Sequence, residues 1–183
     1  MSNKYKKSCI FKIVLAGDGG VGKSSLISRY VTNKFTTNYM MTIGLNFMTK
    51  NVIVDNKAIT FQIWDAAGQD RFRPFTDIAF QGAFGALYVF DLTRPGTLFE
   101  GINNWVEKNK ELNSQYNNCI QLLIGNKSDT PHDFDKESVD DFLRENPEIK
   151  IQGYYETSAL TGDNVETVFM DLGALIADRR KII

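Results

Sequence analysis

Ile10-Phe11-Lys12-Ile13-Val14-Leu15-Ala16-Gly17-Asp18-Gly19-Gly20-Val21-Gly22-Lys23-Ser24-Ser25-Leu26-Ile27 is the stretch that decides the fold. An apolar, β-branched run ends in a glycine-rich loop. A helical pattern follows at once, with Leu26, Ile27, Tyr30 and Val31 on one face. Gly17-x4-Gly22-Lys23-Ser24 has the spacing of a phosphate-binding loop, and the strand before it and helix after it are the context that gives this spacing meaning. Backbone N–H groups of such a loop point inward onto an anion, and the start of the next helix adds partial positive charge. Glycines let the backbone approach phosphate oxygens where a Cβ would intrude. Lys23 can reach terminal phosphates, and the Ser24 hydroxyl can ligate Mg²⁺. The competing reading is a tight strand–helix turn carrying an incidental lysine.

Working outward, the 183 residues fit one domain spanning 1–183, long enough to bury a core without staples. Hydrophobic residues make up 43% and charged residues 23%, as in a soluble globular protein. A net charge of −1 argues against bulk electrostatic binding to nucleic acid or an anionic membrane. The two cysteines, Cys9 and Cys119, read as buried thiols of a reducing compartment. The polar, basic start of the chain lacks the apolar segment of a signal peptide, and no apolar run approaches a bilayer span.

Strands and helices alternate, which predicts a mostly parallel α/β sheet. Strands are expected over about 10–16, 45–54, 59–65, 84–91, 120–125 and 151–157. The turn Asp55-Asn56-Lys57 makes the second and third an antiparallel pair. Along the third strand Ile59, Phe61 and Ile63 share one face, and Thr60, Gln62 and Trp64 share the other. The segments 33–44 and 66–77 read as loops. A helix is expected from Thr97 onward through Leu98, Ile102, Trp105 and Val106, another around Val139, Phe142 and Leu143 that Pro147 closes, and a last one with a core stripe of Val165, Val168, Phe169, Leu172, Leu175 and Ile176.

Four further short stretches sit at predicted strand ends or in the first long loop, where an α/β sheet builds its ligand crevice. Thr42 can complete a Mg²⁺ shell and offer its N–H to a γ-phosphate. Asp65 opens Asp65-Ala66-Ala67-Gly68-Gln69: the carboxylate can hold Mg²⁺ through water, Gly68 can bring its N–H to the γ-phosphate, and Gln69 can orient an attacking water by donating and accepting at once. In Asn126-Lys127-Ser128-Asp129, the aspartate can accept from N1 and the 2-amino group of guanine; adenine would leave it unpaired, a strong basis for rejection. A backbone N–H of Thr157-Ser158-Ala159 can meet the guanine O6. Read singly, these are a loop threonine, a helix-capping aspartate and polar turns.

Taken together and in this order, the stretches resemble the Ras superfamily of small GTPases over nearly the whole chain, with the nearest likeness to the Rab branch. Asp18, Thr42-Ile43-Gly44, Phe47, Trp64-Asp65, Gly68-Gln69-Asp70-Arg71-Phe72 and Asp91-Leu92-Thr93 carry that likeness. The resemblance implies a P-loop NTPase G domain: an α/β fold whose six-stranded, mostly parallel sheet has one antiparallel edge hairpin and helices on both faces. It implies a molecular switch that hydrolyses GTP to GDP and phosphate. Phosphates would lie on Gly19, Gly20, Val21, Gly22, Lys23, Ser24, Ser25, Thr42 and Gly68, with Ser24, Thr42 and, through water, Asp65 on Mg²⁺. Guanine would lie among Phe35, Asn126, Lys127, Asp129, Ser158, Ala159 and Leu160, with Gln69 catalytic. Segments 33–44 and 66–81 would be switches I and II, ordering around a γ-phosphate and relaxing when it leaves.

The chain departs from the family pattern at Ala66 and Leu160, where threonine and lysine are usual, and at Gly19, where glycine leaves room for an incoming arginine. Ala79 stands at the third position of the Rab aromatic triad, beside Phe47 and Trp64. Switch I offers Lys34 and no arginine, so slow intrinsic turnover and a GTPase-activating partner are expected, along with an exchange factor and effectors that prefer the GTP form. The effector face is expected on the Thr60, Gln62 and Trp64 side of the hairpin plus both switches, with Trp64 either an exposed anchor or half-buried packing. The residues to Ile183 include no terminal cysteine for prenylation. The expectation is a cytoplasmic monomer, membrane-associated only if a lipidated tail lies beyond Ile183, with a trafficking role implied by the Rab likeness alone. Two other readings are a GTP-binding scaffold without useful turnover, which Gln69 argues against, and a P-loop phosphotransferase, for which Asn126 and Asp129 have no use.

Overall fold

β1 (Cys9–Ala16) is the axis of the sheet. In the computed structural model, which describes residues 9–35, 45–66, 73–132 and 134–181, it is flanked on one side by β3 and on the other by β4. The six strands run in the order β2-β3-β1-β4-β5-β6, with β2 (Leu45–Val54), β3 (Lys57–Ala66), β4 (Gly85–Asp91), β5 (Ile120–Asn126) and β6 (Gly153–Thr157). Every neighbouring pair is parallel except β2 and β3. That hairpin turns on Asp55 and Asn56, both at positive φ (47° and 62°), which are the residue types that tolerate the left-handed region best.

Helices cover both faces. α1 (Lys23–Thr32) and α6 (Val165–Arg179) bury Leu26, Ile27, Tyr30, Phe169 and Leu172 against Phe11, Ile13, Phe61 and Ile63 of one face. α2 (Arg73–Phe80), α3 (Gly96–Phe99), α4 (Ile102–Leu112) and α5 (Lys136–Glu145) lie on the other, where Phe80, Leu98, Trp105, Val106 and Phe142 meet Val14, Tyr88, Phe90 and Leu123. β4 and β5 are buried along their whole length, which is why their sequences are continuous apolar runs rather than alternating ones. The order reverses direction at β1, so the carboxyl end of β1 is where the crevice opens.

Four expectations are corrected. The helix expected from Thr97 is two pieces, α3 and α4, broken at Gly101. There the Asp18 carboxylate and the Thr97 carbonyl approach so closely that a Cβ would sit 2.8 and 2.7 Å from them. The stretch 66–77 is not all loop: Ala66 ends β3, and α2 begins at Arg73, with Pro74 in the first turn where a missing N–H costs little. β6 starts at Gly153 rather than Ile151, because the Gln152 side chain accepts from the Gln121 N–H and the Ile151 N–H turns back to Ile149. Leu175 is exposed, leaving the stripe of α6 to the other five residues. Cys9 and Cys119 are free thiols, and burial pushes Cys119 up to about 12.

Candidate functional site

The loop between β1 and α1 leaves the strand through Gly17 (φ 150°) and enters the helix through Gly22 (φ 101°). Both conformations exclude side chains: a Cβ on Gly17 would run into the Val89 carbonyl, and one on Gly22 into the Asn126 amide. Among the described residues no side chain caps α1, so the first amides of the helix face the loop's concavity. Lys23 folds back over the loop and donates to the carbonyls of Gly17 (2.6 Å) and Asp18 (2.9 Å). Burial lowers its pKa to about 8, with Asp65 and Asp18 pulling the other way.

Beside it the Ser24 hydroxyl donates to Oδ2 of Asp65, which is buried at the end of β3. A space of about 30 Å³ opens next to the pair, bordered by Asn46, Phe47 and Ile63. A hydroxyl and a carboxylate converging on a space larger than one water form an oxygen-only donor set, the kind a hard divalent cation takes with much of its hydration kept. Among the described residues no group of three or more His, Cys, Asp or Glu gathers elsewhere to hold a metal.

The other end of the crevice is assembled from distant segments. A cleft of about 300 Å³ is lined by Gly20, Gly22, Ser25, Phe35, Asn126, Lys127, Asp129, Thr130, Ala159 and Leu160. Asn126, buried at the end of β5, ties three segments together. Its Nδ2 donates to the Val21 carbonyl (2.8 Å), and its Oδ1 accepts from the Thr157 hydroxyl (3.2 Å) and the Ala159 N–H (3.3 Å). Lys127 sits at φ 72° and donates to Asp91. Asp129 is exposed at the cleft and accepts from the Ser158 hydroxyl, which itself accepts from the Thr161 N–H at 3.0 Å.

The structure therefore brings Gly20, Gly22, Ser25, Phe35, Asn126, Lys127, Asp129, Ala159 and Leu160 around one cleft, with Ser158 bonded to Asp129, and sets Ser24 and Asp65 at a second, smaller space. Thr42, Gly68 and Gln69 lie outside the described residues. Trp64 is half-buried: its ring stacks on Phe47 with centroids 5.0 Å apart, and the Lys12 ammonium lies 4.5 Å from the ring centre. Phe47 is 51% exposed, whereas Ala79 is fully buried.

Three residues at the crevice carry site contacts that the sequence did not assign to them, although Asp91 is among those that bear the family likeness. Asp91, fully buried, accepts from Lys127, from Nε of Arg94 (2.9 Å) and from the N–H and hydroxyl of Thr93. Burial alone would raise its carboxyl, but these bonds outweigh it and hold the pKa below the ordinary range. Arg94 reaches on to the Gly19 carbonyl at 3.2 Å. Arg29 donates to Ala159, Leu160 and Asn33. The signal for Asp91 was its place at the end of a buried strand. Arg29 and Arg94 are surface-type residues with no such signal.

The model of the Ras family matches residues 12–178. The chain is 43% identical over 164 residues to Ras-related protein RABA1c of Arabidopsis thaliana, covering 89% of this chain and 73% of the relative. It is likewise 43% identical over 166 residues to Ras-related protein YPTC6 of Chlamydomonas reinhardtii, with the same coverage. Over 162 residues it is 40% identical to the GTP-binding protein ypt3 of Schizosaccharomyces pombe, covering 87% of this chain and 72% of that one.

Proposed function

From the premise that this chain belongs to the Ras family, and is a Rab-like small GTPase that hydrolyses GTP, we propose that the crevice holds the nucleotide from Lys23 at one end to Asp129 at the other. The observation that carries this is the gathering of 17–25, 126–130 and 157–160 around one cleft at the carboxyl ends of β1, β5 and β6.

The loop amides of Gly19 to Ser25 and the Lys23 ammonium hold the phosphates, without a reorganisation cost because the glycine conformations are already set. Ser24 and Thr42, with Asp65 through water, would hold Mg²⁺, which would neutralise charge on the phosphate oxygens. Asp129 accepts from the guanine N1 and 2-amino groups, and the Ala159 N–H meets O6. Phe35 and Leu160 cover the ring. Gln69 orients the attacking water, with Gly68 at the γ-phosphate. Loss of that phosphate releases the two switch segments, and effectors read the difference.

A GTPase-activating protein, an exchange factor and effectors are the expected partners. Gly19 supports the first, because a Cβ there would meet nothing within 4 Å, so the rim is open to an incoming side chain. The stacked pair of Phe47 and Trp64 forms the effector anchor. With Ala79 buried in place of a third aromatic, effectors that need all three rings bind poorly. We place the protein as a one-domain monomer acting in the cytoplasm on membrane traffic; among the described residues no helix is long and apolar enough to cross a membrane.

Asp129→Asn tests the base end. Affinity should move from guanine to xanthine nucleotides; unchanged GTP binding would sink the assignment. Single-turnover hydrolysis with Gln69→Leu tests the chemistry. The rate should fall sharply, and an unchanged rate would remove Gln69 from the mechanism and leave binding without useful turnover as the better account.

A further inference from the structure

Arg29 lies on α1 six positions past Lys23, and its guanidinium spends its donors on the base end. Nε donates to the Ala159 carbonyl at 2.9 Å, Nη2 to the Leu160 carbonyl, and Nη1 to the Asn33 carbonyl at 3.2 Å. Two successive carbonyls of one loop and a third from another segment match a rigid planar fork, which an ammonium cannot imitate.

The loop has few other restraints on that side. Leu160 is 48% exposed and adds little packing, although Ala159 before it is buried in the core. Internally it is closed by the Gly162 N–H donating to the Ser158 carbonyl at 2.8 Å and the Ser158 N–H donating to Asp163 at 3.2 Å. The Ala159 N–H faces inward, at a long 3.3 Å from Asn126. The carbonyl of its own peptide, that of Ser158, is the one Gly162 holds, whereas Arg29 holds the next two carbonyls, Ala159 and Leu160, and so fixes the C-terminal side of the residue whose N–H faces the cleft.

The helix that carries Arg29 is itself firmly seated. Tyr30 stacks on Phe169 with centroids 3.9 Å apart, and Lys50 clamps the Tyr30 carbonyl at 2.7 Å while pairing with Glu166. The same arginine also closes the helix end: Asn33, the left-handed C-cap, donates its N–H to the Arg29 carbonyl at 2.9 Å. Two residues on, Phe35 forms the facing wall of the cleft.

We propose that Arg29 is a positioning residue for the purine: it ties both walls of the base end, Ala159–Leu160 and the segment leading to Phe35, to the rigid helix α1, and so sets how long the nucleotide stays bound. This rests on the guanine site described above. It also gives an exchange partner a handle, because drawing Asn33 outward strips Arg29 of one of its three carbonyls.

The test follows release of fluorescently labelled GDP from the wild type, Arg29→Lys and Arg29→Ala, beside a diphosphate of 2-aminopurine riboside, which lacks O6. GDP release should quicken roughly tenfold in R29K and about a hundredfold in R29A, the size of one or more lost charge-assisted bonds. Release of the 2-aminopurine nucleotide should change by much less, because the loop N–H has nothing to meet on it.

R29K, which keeps the charge and most of the stem, preserves the test if R29A fails to fold. Unchanged GDP release in both variants overturns the proposal. So does an equal acceleration for both nucleotides, which marks general loosening of the fold. If the wild type itself shows no preference for GDP over the 2-aminopurine nucleotide, the guanine site falls, and the role of Arg29 with it.

Discussion

One continuous segment, 17–25, makes the phosphate end of the crevice, and most of what it presents is main chain. Its shape is held by three glycines at positive φ, Gly17, Gly20 and Gly22, and by one buried lysine bonded to Gly17 and Asp18. The base end is made the opposite way. Side chains of Arg29, Asp91, Asn126, Lys127, Asp129 and Ser158, drawn from four separate segments, tie it together, and the bond from Arg29 to the Ala159 carbonyl spans 130 positions. Anion recognition is so simple a demand that a loop of amides meets it. Telling one purine from another requires donors and acceptors in a fixed plane, and no single short segment supplies them. The phosphate end should therefore fail abruptly, at few positions, and the base end by degrees, at many.

Lys23→Met should give the largest effect. It keeps the apolar stem but removes the buried cation that meets both the loop carbonyls and the phosphates. Loss of two charge-assisted bonds predicts about a thousandfold weaker Mg-GDP binding by calorimetry. A loss under about tenfold would mean that the amides alone carry the phosphates.

Asn126→Ala comes next. It leaves the Val21 carbonyl and the Ala159 N–H without a buried partner, so about a hundredfold loss of GDP affinity should accompany a destabilisation of about 2 kcal/mol. Unchanged thermal unfolding would show that the three segments hold together without it. Asp91→Asn should cost about tenfold in GDP affinity, because Lys127 and Arg94 both lose their anion but keep some contact to the amide oxygen. If that loss equals the one at Asn126, the graded failure expected of the base end is wrong.

The same contrast explains how much was legible. A contiguous loop with a strand before it and a helix behind is written in one stretch, so 10–27 could be read directly. All six strands were placed within two residues at each end because their burial pattern is periodic or continuous. β6 starts two residues later than expected because the Gln121 N–H is taken by the Gln152 side chain rather than by a backbone carbonyl. α2 was hidden because Pro74 and Asp77 mask a short helix that only the packing of Ala79 and Phe80 makes worthwhile. Asp129 was legible from what its carboxylate can accept from guanine, whereas Asn126 gained its role through resemblance to a family. Asp91, Arg29 and Arg94 act through contacts between residues distant in sequence, and no local pattern announces such contacts.

pH offers the finest separation of the two ends. In the unfolded chain Lys23 titrates near 10.5, and in the fold burial brings it down to about 8. Between these values the unfolded state holds a proton that the folded state has released, so stability should rise as pH climbs from about 8. Binding should move the other way. A phosphate beside Nζ favours the ammonium, so the nucleotide must take up a proton once Lys23 has lost it. With a pKa of about 8, GDP affinity should fall about fourfold between pH 7 and pH 8.5, below the range where guanine itself loses its N1 proton. In Lys23→Met the slope should vanish, whereas in Asn126→Ala it should survive intact on a weaker baseline. A slope that persists in Lys23→Met would place the titrating group elsewhere and remove the lysine from the phosphate end. A slope that vanishes in Asn126→Ala would mean that the two ends are one coupled unit rather than two.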